Sequence, residues 1–327
     1  MENEELYRAT SEAIDSEPLK GLGLKLIGIG AEKIVFETPG SKRKIIKVSI
    51  DEVMFALAKI LGLVPKDQER YYSLSSIIAE HKIIEEDLKE VFGTEHLLRN
   101  GVFKAKIPLP KNVVIELFKN SRMGQIVTNM LDNREDDATF EVEVLVETQT
   151  KAEELSDPEK YKTRDFSTDL IISDEFRGAK DIPQALVLAE QMINERFLDN
   201  FDEDLKDVKY IEIIREILTK IIQFTKRTGQ MLDIFGPNNI TIFTKEDGSL
   251  DYHLPDVILP GTQSRWFINI KDDPEYNLLR HYYVFYYSIK SLGDKLGLAD
   301  NLEPDDLVYF KGAGIPTSGQ FPDSTER

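Results

Sequence analysis

Apolar and polar residues alternate through 24–37, LKLIGIGAEKIVFE, on both sides of a glycine-rich turn. A second β-branched run, KIIKVS at 44–49, follows the turn segment TPGSKR. A period of two is the mark of half-buried strands, so this stretch predicts three successive antiparallel strands. The spacing then changes. Residues 51–64 have helical periodicity until Pro65 interrupts it, and SLSSIIAEHKIIEEDLKEVF at 73–92 repeats apolar positions at three and four residues before Gly93, a helix stop. Alternation returns in GVFKAKIPLPKNVVIELF at 101–118 and FEVEVLVET at 140–148. The first half therefore reads as a mixed sheet carrying one principal helix.

The second half has a different rhythm. Residues 151–207 are polar, with helical spacing only near 181–197, and a linker or lobe boundary is expected there. VKYIEIIREILTKIIQFTKRTG at 208–229 is a strongly amphipathic helix closed by Gly229. A hairpin around KEDGS at 245–249 and an aromatic helix at 275–297 follow. The segment from 311 onward is rich in Gly, Pro and Ser and reads as a disordered tail. The expected organisation is an extension at 1–23, a strand-rich part at 24–150, a helical part at 151–310 and the tail at 311–327.

Composition narrows the functional classes. Among 327 residues, 59 are acidic and 41 basic, a net charge of −18, which opposes attraction to nucleic acid or to anionic membranes. Lys42, Arg43 and Lys44 form a local basic cluster that reads as a solvated hairpin end. The chain has no cysteine, so disulfides and thiolate chemistry are excluded. Its acidic first residues do not resemble a secretory signal. The longest apolar stretch, VMFALAKILGLV at 53–64, contains Lys59 and is too short to span a bilayer. The expectation is a soluble, cytoplasmic protein, with no nucleic acid or membrane among its partners.

The four histidines, at 81, 96, 253 and 281, show no zinc-ligand spacing. His281 lies in RHYYVFYY, a run that reads as aromatic core. No serine nucleophile elbow and no dinucleotide fingerprint is present.

What does stand out is an order of residue types. A glycine turn is followed by a strand lysine, a long helix with glutamate, two further strands, and then a helical half with Asp, Asn and a later Asp. Phosphoryl transfer from a nucleotide requires close backbone cover over phosphates, a cation on them, hard ligands for magnesium, and a carboxylate that orients the nucleophile. Gly28 and Gly30 in GIGAEK, Lys47 in IIKV, Glu80 in AEHKIIEEDLKEVFG, and MLDIFGPNNITIF at 231–243 followed by YHLPDVILPG supply these types in sequence.

On these residues the chain resembles the protein kinase-like superfamily, in particular its small-molecule and aminoglycoside phosphotransferase branch. The resemblance covers roughly residues 24–295. It implies a bilobal α+β fold, with a small N-terminal lobe of antiparallel sheet plus one main helix, and a larger, mostly helical C-terminal lobe. It implies ATP and Mg2+ as cofactors and a hydroxyl acceptor, small molecule or protein. Gly28 and Gly30 would cover the phosphates, with Lys33 in the usual place of a third glycine, and Lys47 would contact the phosphates while paired with Glu80, Glu85 being a rival. The adenine would lie against the backbone near 145–149, where the lobes join.

Asp233 corresponds to the catalytic aspartate. Asn238 keeps the family's spacing of five, whereas Asn239 better matches the residue that opens the following strand, so either is the expected metal ligand. Asp256 corresponds to the magnesium-binding aspartate, followed here by Val257 and Ile258. Met231 stands where many members carry histidine. The glycines and the DIFGPNN segment also satisfy the demands of tight turns without any catalysis. A non-catalytic nucleotide-binding or regulatory module is the alternative reading, and nucleotidyl transfer on the same scaffold a third.

Overall fold

A computed structural model describes residues 25–29, 33–38, 41–64, 74–119, 124–132, 134–135, 138–150, 161–163, 182–202, 204–234, 239–255, 257 and 274–307. Gly30, Asn238, Asp256, the extension at 1–23 and the tail at 311–327 lie outside these. The fold is α+β and divides into two compact units. The first comprises Met1–Ile83, Leu98–Leu155 and Pro260–Ile270; the second comprises Ile84–Leu97, Ser156–Leu259 and Lys271–Arg327.

The first unit is built on the sheet that the opening alternation predicts. Strands β1 (Lys25–Ile29), β2 (Lys33–Thr38) and β3 (Ser41–Ser49) follow one another antiparallel, with a register irregularity between Leu26 and Gly28. The chain continues into helix α1 (Ile50–Ile60), whose first turn is capped by the Ser49 hydroxyl accepting from the Glu52 amide. After helix α2 (Leu74–Phe92), strands β4 (Arg99–Pro110) and β5 (Thr139–Thr150) complete a five-stranded sheet in the order β1-β2-β3-β5-β4.

Every neighbouring pair in this sheet is antiparallel, as the resemblance implies, and not mixed as the alternation alone reads. The reason lies between β4 and β5. Residues 111–118, expected to extend an alternating segment, form helix α3 (Lys111–Phe118), followed by α4 (Gly124–Leu131). Pro110 ends the strand, and Val113, Val114, Leu117 and Phe118 make a buried helical stripe. This excursion returns the chain to the end it left, where Pro110 opposes Thr139, and the returning strand must therefore run antiparallel.

The two sheet faces carry different loads. On one, Ile34, Phe36, Val48, Val142, Val144 and Val146 pack with α1, α3 and α4 into the main core of the unit. On the other, Val102 and Leu145 pack under Leu74 and Ile78 of α2. The sheet thus carries α3 and α4 besides the principal helix and the helix at 51–64 that the spacing predicts.

The second unit contains a small antiparallel sheet, β6 (Tyr161–Thr163), β7 (Thr241–Thr244) and β8 (Leu250–His253), the last two joined by the expected hairpin. Its helices are α5 (Ile182–Met192), continued by a π turn at Ile193–Phe197, α6 (Val208–Thr228) and α7 (Pro274–Lys295). Helix α6 forms because its apolar positions make one continuous stripe, and Ile213, Ile214, Ile217, Leu218, Ile221, Ile222 and Phe224 are all buried. Asp207 caps its start by accepting from the Lys209 amide, and Gly229 ends it with φ 72°. The second half of α2 belongs to this unit because Leu88 and Phe92 enter its core. Arg227 of α6 pairs with Asp87 at 2.9 Å and also with Glu90 of α2. Among the described residues no helix is long and apolar enough to cross a membrane.

Candidate functional site

The segment that leaves α6 is tied down by hydrogen bonds of its main chain. Met231, Leu232 and Ile234 are buried in the core, while Asp233 between them is only partly covered. The apolar neighbours anchor the backbone, so the carboxylate is presented by a fixed frame rather than by a free loop. Two main-chain groups of Asp233 are tied. Its amide donates to the Val257 carbonyl at 2.8 Å, and its carbonyl accepts from the Asn239 side-chain amide at 2.7 Å. Asn239 is itself 8 % exposed and precedes buried Ile240, which leads into β7.

Of the two asparagines left open by the sequence, Asn239 is the described one, and its amide closes the loop onto Asp233. Its nitrogen end is committed to the Asp233 carbonyl, which turns its oxygen end into the one left to act as a ligand. An amide oxygen with carboxylate oxygens is the hard donor set that magnesium prefers, so these residue types fit that ion. Asp256 lies outside the described residues, but Val257, its chain neighbour, is the residue bonded to Asp233. No group of three or more His, Asp or Glu suited to hold a metal occurs among the described residues.

Beside this loop, β8 is held by a cluster that the sequence did not single out. His96 stacks flat on the Tyr252 ring, with centroids 4.1 Å apart and 3° between planes. Its Nδ1 lies 2.8 Å from the Tyr252 carbonyl, and the Leu254 amide donates to the His96 carbonyl at 2.8 Å. The Tyr252 hydroxyl accepts from Lys220 Nζ at 3.0 Å; burial pushes its pKa up to about 12, so it stays protonated. Burial alone would raise the Asp251 carboxyl, but Lys245 Nζ at 3.0 Å, the Tyr252 amide and nearby His96 hold it below the ordinary carboxylate range. A histidine 156 residues from its partner gives no spacing signal, which is why reading the chain left it unassigned.

In the first unit, Lys47 sits on β3 directly opposite Val35 of β2 and Glu147 of β5. Gly28 lies at the β1 irregularity, pairing with Val35. Glu80 belongs to α2. Glu85, the rival, is 7 % exposed and pairs with Lys89 at 2.6 Å. The carboxylate opposite Lys47 in the sheet is Glu147, 8 % exposed, which ion-pairs with Lys33 at 3.3 Å. Lys33 was expected only as the residue in place of a third glycine, and Glu147 falls within the 145–149 stretch expected to meet the adenine. The only sequence signal is a glutamate inside the continuous apolar run VLVE, where a strand buried on both faces should have none.

No protein-family model, no curated protein and no solved structure matches the chain.

Proposed function

We infer that the chain is an ATP-dependent phosphotransferase of bilobal, kinase-like fold, acting on a hydroxyl acceptor. The observation that carries this reading is the closed loop at Asp233, where the Asn239 amide and the Val257 carbonyl hold one partly exposed aspartate by its main chain. Support comes also from the order of elements: three antiparallel strands with Lys47 on the third, a long helix, then two further strands in the same sheet.

In this reading Asp233 accepts the proton of the acceptor hydroxyl as its oxygen bonds to the γ-phosphorus and the bond to the β-phosphate oxygen breaks, releasing ADP. Positioned proton transfer of this kind contributes about 10²- to 10⁴-fold in rate. Its main-chain tethers fix the backbone that carries the carboxylate, which limits the reorganisation needed at the moment of reaction. Asn239 or Asn238, together with Asp256, would supply the oxygens that hold Mg2+, which when bound would neutralise charge developing on the phosphates. Gly28 and Gly30 would allow close backbone approach to the phosphates, and Lys47 would supply a point charge for them, paired with Glu80.

A second reading, nucleotide binding without transfer, is favoured by Met231. This residue is 5 % exposed and packed in the core, so it offers no polar contact to the loop. The two readings separate in one experiment: magnesium-dependent ATP turnover with a broad panel of hydroxyl acceptors, beside Asp233→Ala and Asp256→Ala. Turnover abolished by both substitutions supports transfer. Turnover that survives both sinks the site, and tight ATP binding with no turnover selects the binding module.

A further inference from the structure

We propose that His96 is a positioning residue for the Asp233 loop, acting through the exit of strand β8; its part in catalysis rests on the phosphotransferase reading above. Helix α2 ends at Phe92, and Gly93 turns the chain with φ 88°. The residues that follow run beside the end of β8, where Leu97 and Leu254 form an isolated parallel bridge. Both partners belong to the second unit.

His96 grips this exit twice. Its main-chain carbonyl accepts from the Leu254 amide at 2.8 Å, and its Nδ1 lies 2.8 Å from the Tyr252 carbonyl. A carbonyl only accepts, so Nδ1 carries the proton and donates, which sets the tautomer of the ring. The imidazole also lies flat on the Tyr252 ring, and His96, Tyr252 and Leu254 are all buried. Water competes little for a hydrogen bond in such surroundings, so removing its donor is costly.

What this grip holds is a short strut. Three residues beyond Leu254, the Val257 carbonyl accepts from the Asp233 amide at 2.8 Å. From Leu254 to Val257 the chain reaches about 11 Å at most, so a backbone pinned at both ends has little freedom between them. The Asp233 carbonyl in turn accepts from the Asn239 side-chain amide at 2.7 Å. The bonded path therefore runs from His96 through Leu254 and Val257 to the main chain of Asp233, and on to Asn239. Asp256, an expected magnesium ligand, falls inside the strut by sequence. Loosening the His96 end should thus disturb the proton acceptor and the expected metal ligands together.

The test uses two readouts on the full chain, with wild type beside His96→Phe and His96→Asn. Phenylalanine keeps a ring to stack on Tyr252 but has no donor, whereas asparagine keeps a side-chain N–H close to the place of Nδ1. Amide hydrogen exchange followed by NMR compares Asp233 with Ile217, whose amide reports the core of helix α6. The proposal expects His96→Phe to speed exchange at Asp233 about tenfold relative to Ile217, and His96→Asn to recover most of the protection. A general loss of stability speeds both amides alike. Should His96→Phe fail to fold, His96→Gln, whose donor sits further from the main chain, carries the same expectation.

In calorimetric titration with ATP, His96→Phe should cut the magnesium-dependent gain in affinity about fivefold, while affinity in EDTA changes about twofold or less. Unchanged relative exchange at Asp233 overturns the positioning role, whatever the nucleotide data show. Faster exchange at Asp233 in a protein whose wild type binds no ATP leaves the strut standing and sinks the phosphotransferase reading. A wild type that gains affinity with magnesium, beside a His96→Phe variant that keeps the whole gain, overturns the link from His96 to the metal while that reading stands.

Discussion

The side-chain amide of Asn239 donates to the main-chain carbonyl of Asp233 at 2.7 Å, bridging two positions six apart in the segment between helix α6 and strand β7. The bond does two jobs: it fixes the backbone that presents the Asp233 carboxylate, and it orients Asn239 with its oxygen away from that carbonyl. Replacing Asn239 with alanine removes a buried bond and leaves the carbonyl unmatched, at a cost of about 1 kcal/mol in stability. Urea unfolding should show this loss, and ATP affinity in magnesium should fall with it, whereas affinity without magnesium should change little.

Gly229 sets where that loop begins. Its φ of 72° is left-handed, and its amide donates to the Thr225 carbonyl at 2.7 Å, ending α6. A side chain in that conformation is strained, so Gly229→Ala should destabilise by about 1 kcal/mol. Guanidinium denaturation measures the effect; an unchanged midpoint would show that the helix end relaxes without the glycine.

The stripe on α6 supports the whole second unit. Ile217 is fully buried among the core side chains, and Ile217→Ala should cost about 2 to 5 kcal/mol by loss of contact and creation of a cavity. Glu212, on the exposed side of the same helix, should change stability by about 0.5 kcal/mol or less when replaced by alanine. Paired urea curves test the contrast.

Acid should weaken the fold in part through Asp251. Its pKa is depressed in the folded protein by Lys245, the Tyr252 amide and His96 despite burial, so its stabilising contribution is present above the unfolded value, about 3.9, and is lost as pH falls through the folded one. Asp251→Asn should be less stable than wild type at neutral pH, and the two stability curves should converge between about pH 4 and pH 2. Curves that stay parallel over that range would show that Asp251 carries no linked proton.

Much of the fold is visible in the chain because local and long-range demands agree there. The stripe of α6 and the alternation of β2 each bury one face, so periodicity alone determines them. Residues 111–118 mislead because KNVVIELF is rich in β-branched residues that also suit a strand. Only the packing of Val113, Val114, Leu117 and Phe118 on one side makes it a helix. The candidate site divides along the same line. Asp233 and Asn239 are six residues apart and can be paired by reading the loop. Lys33 and Glu147 are 114 residues apart, and each alone looks like an ordinary strand charge until the register brings them to one face.

The most direct test of the phosphoryl-transfer loop is calorimetric titration of the wild-type chain and Asn239→Ala with ATP, with and without magnesium. The account predicts that wild type binds ATP more tightly when magnesium is present, and that Asn239→Ala, while still folded, loses this magnesium-dependent gain. Wild type that binds no ATP at millimolar concentration, or a variant that keeps the full magnesium effect, would contradict it.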